Sequence, residues 1–460
     1  MFNLKQFFMQ KKNLFASAFL CASMFLFTGC DKIMSHFDNS VDSNLKVADK
    51  LTIIGVGETY QIAKDVDYKT ISDADPSFES LDKAIATVEP KTGLVTALKS
   101  GDARIKISLP DNGLYLDASA IISIKVRVHN TDQFYKNVEA LADEDQILFA
   151  EDAAVEMAKV VDLSGKKIAI KGVENKPAKI TIQKEFTVNN SFEVSNVEFD
   201  ASGFVYNSDA KKPPLNKAII QLADLPEGTT QIDIDAIKFD NVVVKSLDAS
   251  LINCYGSSKK YFIKNLTINN SIIGLGGSKY VLDFQNGGNI ADITISKSTL
   301  WAPSTKKHTS RIFQNQSAAT ISSLGGSTFT YTIENSTLYN ISNNHNYVNY
   351  LRQNNQTWIT YNVKNNIIVD CQRSGSFIRG INGNSNDNDC KCTWNVDNNM
   401  INYGGSDVSA TEVTNMNSTK YADKNPRVKN CIAGTVTFAD ADKGDFSQTG
   451  VNAGDPRWKK

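Results

Sequence analysis

Ile268–Ile273 reads INNSII, and the chain writes the same six-residue phrase again at Ile295–Leu300 (ISKSTL), Ile333–Leu338 (IENSTL), Val363–Ile368 (VKNNII) and Val396–Ile401 (VDNNMI). Ile237–Val242 (IKFDNV) is a weaker copy. Each phrase opens on a β-branched residue, turns on polar residues rich in Asn and Ser, and closes on an aliphatic one. Successive starts fall 27 (268 to 295), 38 (295 to 333), 30 (333 to 363) and 33 residues (363 to 396) apart. A repeat of that length, made of short alternating strands and Asn-rich turns, describes a stacked solenoid. No helical stripe lies between the copies, and β-branched residues and Asn dominate, which predicts a parallel β-helix rather than a helical repeat. Such a fold presents long surfaces suited to binding or cleaving polymers.

The bulk composition narrows the classes. With 460 residues the chain is long enough for two or three domains with sizeable cores. A net charge of −1 gives no electrostatic footprint for nucleic acid. Hydrophobic content of 41% with 10 Pro belongs to a folded chain. Four His in the whole chain argue against a His-rich metal site.

Residues 1–29 read as an export signal. Lys5, Lys11 and Lys12 are its basic region, Leu14–Phe27 its apolar region, and Phe27-Thr28-Gly29-Cys30 its end. The apolar run is too short to span a bilayer, at about 1.5 Å per residue. The last four residues resemble a bacterial lipobox, with Phe27 bulkier than the usual residue there. That resemblance implies cleavage before Cys30, acylation of Cys30 and a polar tether over residues 30–44. Cys254, Cys371, Cys390, Cys392 and Cys431 remain, an odd number. In an exported protein Cys371 can bridge to Cys390 or Cys392; the alternative is buried thiols stacked inside the coils.

Residues 45–129 carry their own β pattern, with strand-like runs at Leu51–Ile54, Thr59–Ala63, Ile85–Val88, Leu94–Leu98, Ala103–Ser108 and Ile121–Val128. They predict a small sandwich, with Gly93 at a turn and Val88, Leu94, Val95 and Ile105 in its core. Within it Asp82–Ile105 reads DKAIATVEPKTGLVTALKSGDARI. This stretch resembles the bacterial Ig-like domain of group 2, a family that implies a spacer or adhesion module.

Residues 130–460 form the repeat domain. Phe134–Asp145 is expected to be a helix with Phe134, Val138 and Leu141 on one face, covering the open end of the stack. Gln146–Phe149 and Lys167–Gly172 follow as strands of the first coil. This opening resembles the pectate-lyase-like right-handed β-helix superfamily. The end, Gly454-Asp-Pro-Arg-Trp458, resembles β-helical surface lipoproteins of gut-bacterial glycan-utilisation systems. Trp458 is expected to plug the last coil. The expected fold class is thus all-β: a small Ig-like β-sandwich followed by a right-handed single-stranded parallel β-helix with an N-terminal capping helix.

Asn at the turns of a β-helix stack into amide ladders, and Asn270, Asn335, Asn366 and Asn399, with Ser298 in the equivalent slot, fit that structural role. A second strand in each coil supplies other candidates. If Leu282, Ile312, Leu351 and Ile378 point inward, alternation sends Asp283, Arg311, Arg352 and Arg379 outward, about 4.8 Å apart from coil to coil. Guanidiniums so spaced suit the carboxylates or sulfates of an acidic polysaccharide. Trp301, Tyr339, Tyr347, Trp358 and Trp394 lie on neighbouring turns, where rings can stack on sugars. The plainer reading makes these Arg and Asp solvated strand faces with weak local ion pairs.

The signs of an enzyme are sparse. Inverting glycosidases of the polygalacturonase kind need an Asp pair and a Gly-His-Gly step, and the chain has no Gly-His-Gly. A lyase needs a base and a cation; Arg352, Arg379, Lys259 or Lys260 fit the first, and the loop Asn384–Asp389 has oxygen ligands at alternating positions that suit Ca²⁺. His308 and His345 are read as surface residues. The sequence therefore points first to an outer-membrane lipoprotein facing the cell exterior that binds a polysaccharide, uronate-containing and pectin-like. Its partners would be the glycan, the membrane through its lipid and other glycan-utilisation proteins. A polysaccharide lyase and a structural or adhesive stalk are the alternatives.

Overall fold

The computed structural model describes residues 45–47, 51–67, 76–109, 118–206, 217–254, 260–285, 287–315, 321–343, 345, 347–350, 356–371, 392–402 and 428–460. Cys30, Arg352, Arg379, Cys390, Lys259 and the loop 384–389 lie outside the described residues.

The first unit is a β-sandwich. One sheet orders Thr52–Gly55, Ala118–Arg127, Gly101–Leu109 and Ser77–Ser80; the other orders Thr59–Gln61, Leu94–Ala97 and Ala86–Val88. Period-2 alternation along Gly101–Leu109 buries Ala103, Ile105 and Ile107 completely. Ser77–Ser80, which sequence patterning did not mark, contributes Phe78 to that core. Gly93 has a φ of +70°, and a Cβ there would lie 2.9 Å from the Phe78 ring, so both backbone and space require glycine. Val95 is buried as expected, but Leu94 is 41% exposed, because alternation puts neighbours on opposite faces of a strand.

The second unit opens with a helix, α1, at Thr131–Glu139. It begins earlier than the apolar spacing suggested, because Asn130 caps it, its side chain accepting the Gln133 N–H at 3.1 Å. Phe134 is fully buried and stacks on Phe149 of the first coil, ring centroids 6.2 Å apart. The helix thereby closes the first coil's apolar interior.

Three parallel faces then wind into a right-handed β-helix. The first face starts at Gln146–Leu148 and ends at Val428–Lys429; the second runs from Ala154–Met157 to Ile432–Ala433; the third runs from Val161–Asp162 to Val348–Tyr350. The repeated phrase straddles the bend between the first two faces. Ile268, Ile295, Ile333, Val363 and Val396 are register partners in one inward column. Ile273, Leu300, Leu338, Ile368 and Ile401 form the next. The weak copy is out of phase by two residues: Phe239, not Ile237, pairs with Ile268. Val194-Ser-Asn196-Val-Glu-Phe199 and Val428-Lys-Asn430-Cys-Ile-Ala433 are further copies of the phrase.

The Asn ladder is two ladders. At each bend one residue takes the left-handed conformation: Asn196, Asn241, Asn270, Lys297, Asn335, Asn365, Asn398 and Asn430. Amides of this outer column bond from coil to coil, as in Asn398 Nδ2 to Asn365 Oδ1 at 2.8 Å. The following residue points inward and forms a buried ladder of Ser271, Ser298, Ser336, Asn366 and Asn399. Each of the last four accepts the backbone N–H of its predecessor, from Ser271 N–H to Ser298 Oγ (3.0 Å) through Asn366 N–H to Asn399 Oδ1 (3.1 Å). Asn270 and Asn335 thus stand in the outer column and Asn366 and Asn399 in the inner one.

Candidate functional site

On the third face every coil repeats an apolar residue followed by a polar one. Ile220-Gln221, Ile252-Asn253, Leu282-Asp283 and Phe313-Gln314 are in register, and the backbone row continues to Val348-Asn349. The apolar members are buried in the coil interior, so alternation turns the polar members away from it, although Asn253 and Gln314 are themselves buried and Gln221 and Asp283 partly so. Neither Gln221, Asn253 nor Gln314 stands out in the sequence alone; the recurring apolar-polar pair is the signal that finds them.

The row is tightly held. Asn253 Nδ2 donates to Asp283 Oδ2 at 3.1 Å, and Gln221 Nε2 donates to the Asn253 carbonyl at 3.2 Å. Among the described residues, the buried Asn253 Oδ1 and Gln221 Oε1 accept no hydrogen bond. Arg311 Nη1 donates to Gln314 Oε1 at 3.0 Å, which brings Arg311 and Asp283 into one patch through Gln314. Burial lifts the Asp283 carboxyl to about 6, partly offset by hydrogen bonds from Gln285 and by the charge of Lys217. Burial also lowers Arg311, against the Tyr280 hydroxyl that hydrogen-bonds it. Burial, then the Arg311 charge, holds His345 below the ordinary histidine value.

Arg311 reaches this patch by a different route from the one alternation suggested. Leu282 pairs with Phe313 rather than Ile312, so Gln314 takes the slot beside Asp283 and Arg311 enters from the preceding turn. Asp283 itself is partly buried rather than open to solvent. Trp301 and Trp358 are not brought to this face: Trp301 ends a strand of the second face and Trp358 precedes Ile359–Lys364 of the first. A three-faced coil separates residues that neighbouring turns of sequence place together. Tyr347 is fully buried, and Trp394 is buried in the interior, stacked on Tyr361 at 4.5 Å. His308, expected at the surface, is 2% exposed. It joins three coils, its Nε2 contacting the Lys279 carbonyl at 2.7 Å and its Nδ1 accepting the Ser342 N–H at 3.2 Å. Cys254, Cys371, Cys392 and Cys431 are buried thiols, not disulfides. Among the described residues no group of three His, Cys, Asp or Glu side chains is arranged to hold a metal.

The C-terminal segment does not plug the last coil. It folds back as a strap along the second face, where Phe446 meets Trp301, Tyr339, Phe438 and Trp458 at ring-centroid distances of 5.8, 5.6, 5.1 and 5.9 Å. Gly454 has a φ of +82°, and a Cβ there would strike Ile367 at 2.7 Å. Arg457 donates to the bend carbonyls of Asn270 (3.0 Å), Ser271 (2.8 Å) and Lys297 (3.2 Å). Trp458 Nε1 donates to Thr299 Oγ1 at 2.8 Å.

Residues 43–113 match a family model. That model is the bacterial Ig-like domain of group 2. Residues 153–303, the coils that carry Gln221, Asn253, Asp283 and Trp301, match a domain of unknown function, DUF4957. No curated protein matches the chain. An Ig-like module followed by a long parallel β-helix points to a surface or adhesive protein.

Proposed function

We propose that this is a surface protein that binds a polysaccharide along the third face of its β-helix. Cys30 would be its lipid anchor on the outer membrane, and the Ig-like domain its spacer. The observation that carries the reading is the in-register row Gln221–Asn253–Asp283–Gln314, with the acceptor oxygens of Gln221 and Asn253 unmatched among the described residues and Arg311 at its side. Sugar hydroxyls are the donors such oxygens lack, and a row repeating at the coil spacing, about 4.8 Å, suits a polymer better than a small metabolite. Arg311 adds a fork for a carboxylate, which favours a uronate-containing, pectin-like chain. Many weak contacts along one polymer then sum to useful affinity.

Affinity electrophoresis in gels cast with acidic or neutral polysaccharides tests this. Retardation by a uronate polymer, lost in Arg311→Ala with Asn253→Ala, is expected. Equal mobility in every gel would remove the reading. Ultraviolet absorbance from unsaturated ends in the same mixtures would instead make the protein a lyase.

A further inference from the structure

Between the second face and the strap lies a pocket of about 400 Å³, on a different side of the coil from the polar row. Its walls are Ile272, Leu275, Pro303 and the half-buried Trp301 indole, and its rim holds Lys245, Lys306, Lys443 and Asp248. Glycines open it. A Cβ on Gly274 would lie 3.2 Å from Trp301 Nε1, and one on Gly444, at φ +85°, would lie 3.1 Å from Trp301 Cζ2. Phe446 meets the indole edge-on and fixes its plane. Three lysines face one aspartate; Lys245 is paired with Glu198 at 2.6 Å and Lys443 with Asp440 at 2.8 Å. Lys306 has no ion-pair partner among the described residues.

From this arrangement we infer a second binding site, separate from the third-face row, that takes one sugar ring bearing a carboxylate. The volume lies in the range of small-molecule sites, about 300–1,000 Å³. A rigid indole beside an apolar floor matches the C–H face of a pyranose. Lys306 supplies the point charge for a carboxylate, and Asp248 an acceptor for ring hydroxyls. The inference shares with the preceding reading only the class of ligand.

Gly276 provides the cleanest variant. A Cβ there would meet only Lys306 Cδ, at 3.8 Å, so Gly276→Leu would fill the pocket without displacing backbone. The probe is a uronate trisaccharide, with its neutral counterpart as control, titrated by calorimetry and by indole fluorescence compared between wild type and Trp301→Phe. The expected result is saturable binding of the acidic trisaccharide with a Trp301-dependent signal, that signal weakened at least tenfold by Gly276→Leu and by Lys306→Glu. Binding abolished by Arg311→Ala but untouched by the two pocket variants would overturn it. So would polymer retardation in gels with no Trp301 response to the trisaccharide, an outcome that leaves the third-face reading standing.

Discussion

Thr299 donates its hydroxyl hydrogen to Asp455 at 2.8 Å, across 156 residues of chain, in a site where the Asp455 side chain is fully buried. The same carboxylate accepts from the Arg457 backbone N–H at 3.1 Å and pairs with its guanidinium, which reaches on to the bends of two coils. One buried anion thus ties the strap to the stack.

Asp455→Ala should release the strap. It leaves Arg457 half-enclosed without its counter-ion, a change that costs about 3 kcal/mol when one partner of a buried pair is removed. Urea denaturation should show the loss, and limited proteolysis should cut within residues 434–460. Lys443→Ala, which breaks only a surface pair, should move stability by less than about 0.5 kcal/mol.

The inner ladder should matter more than the outer. Asn366 Oδ1 accepts the Ser336 N–H at 2.9 Å while its Nδ2 donates to the Ile333 carbonyl at 2.8 Å, all fully buried. Asn366→Ala leaves a buried donor and acceptor orphaned and should cost about 2–3 kcal/mol. Asn395→Ala, exposed on the first face with one amide bond to Asn362, should cost under about 1 kcal/mol. Equal losses in thermal unfolding would contradict the assignment.

His308 should make stability depend on pH. Burial lowers its folded value from 6.5 to about 4, so between those values the unfolded chain binds the extra proton. Stability should therefore rise with pH through that window, be complete above it, and be lost as pH falls toward 4. The upper bound on the swing is roughly 3 kcal/mol. Denaturant midpoints taken across the window should carry this slope in wild type and lose it in His308→Gln.

Asp283 has the opposite sign. Its carboxyl is raised from 3.8 to about 6, so the folded chain holds the extra proton between those values, and stability falls as pH rises through them. At neutral pH the ionised group is a cost. Asp283→Asn keeps an acceptor for Asn253 Nδ2 and should raise the melting temperature by a few degrees at pH 7. It should also steepen the rise that His308 produces. An unchanged melting temperature and slope would show that Asp283 is well solvated.

Much of the fold was legible because a β-helix repeats its chemistry. Ile268, Ile295, Ile333, Val363 and Val396 announce one inward column by spacing and shape, and the structure stacks them in that register. The phrase slipped at Ile237 because Phe239, aromatic rather than β-branched, opens that copy. The site was harder. Ile312 and Phe313 are both apolar, either can face inward, and that choice decides whether Arg311 or Gln314 stands beside Asp283.

By itself, then, the chain determined its repeat, its Ig-like module and which residues of each phrase enter the core, since those depend on alternation and on side-chain shape within a few residues. Tertiary structure alone decided which face each coil's outward residues occupy and where the last residues dock. Coil lengths vary, so the angle at which a side chain leaves the stack is fixed only when the faces close. Thr299, which both Asp455 and Trp458 hydrogen-bond, lies more than 150 residues away, a distance over which no local pattern carries information.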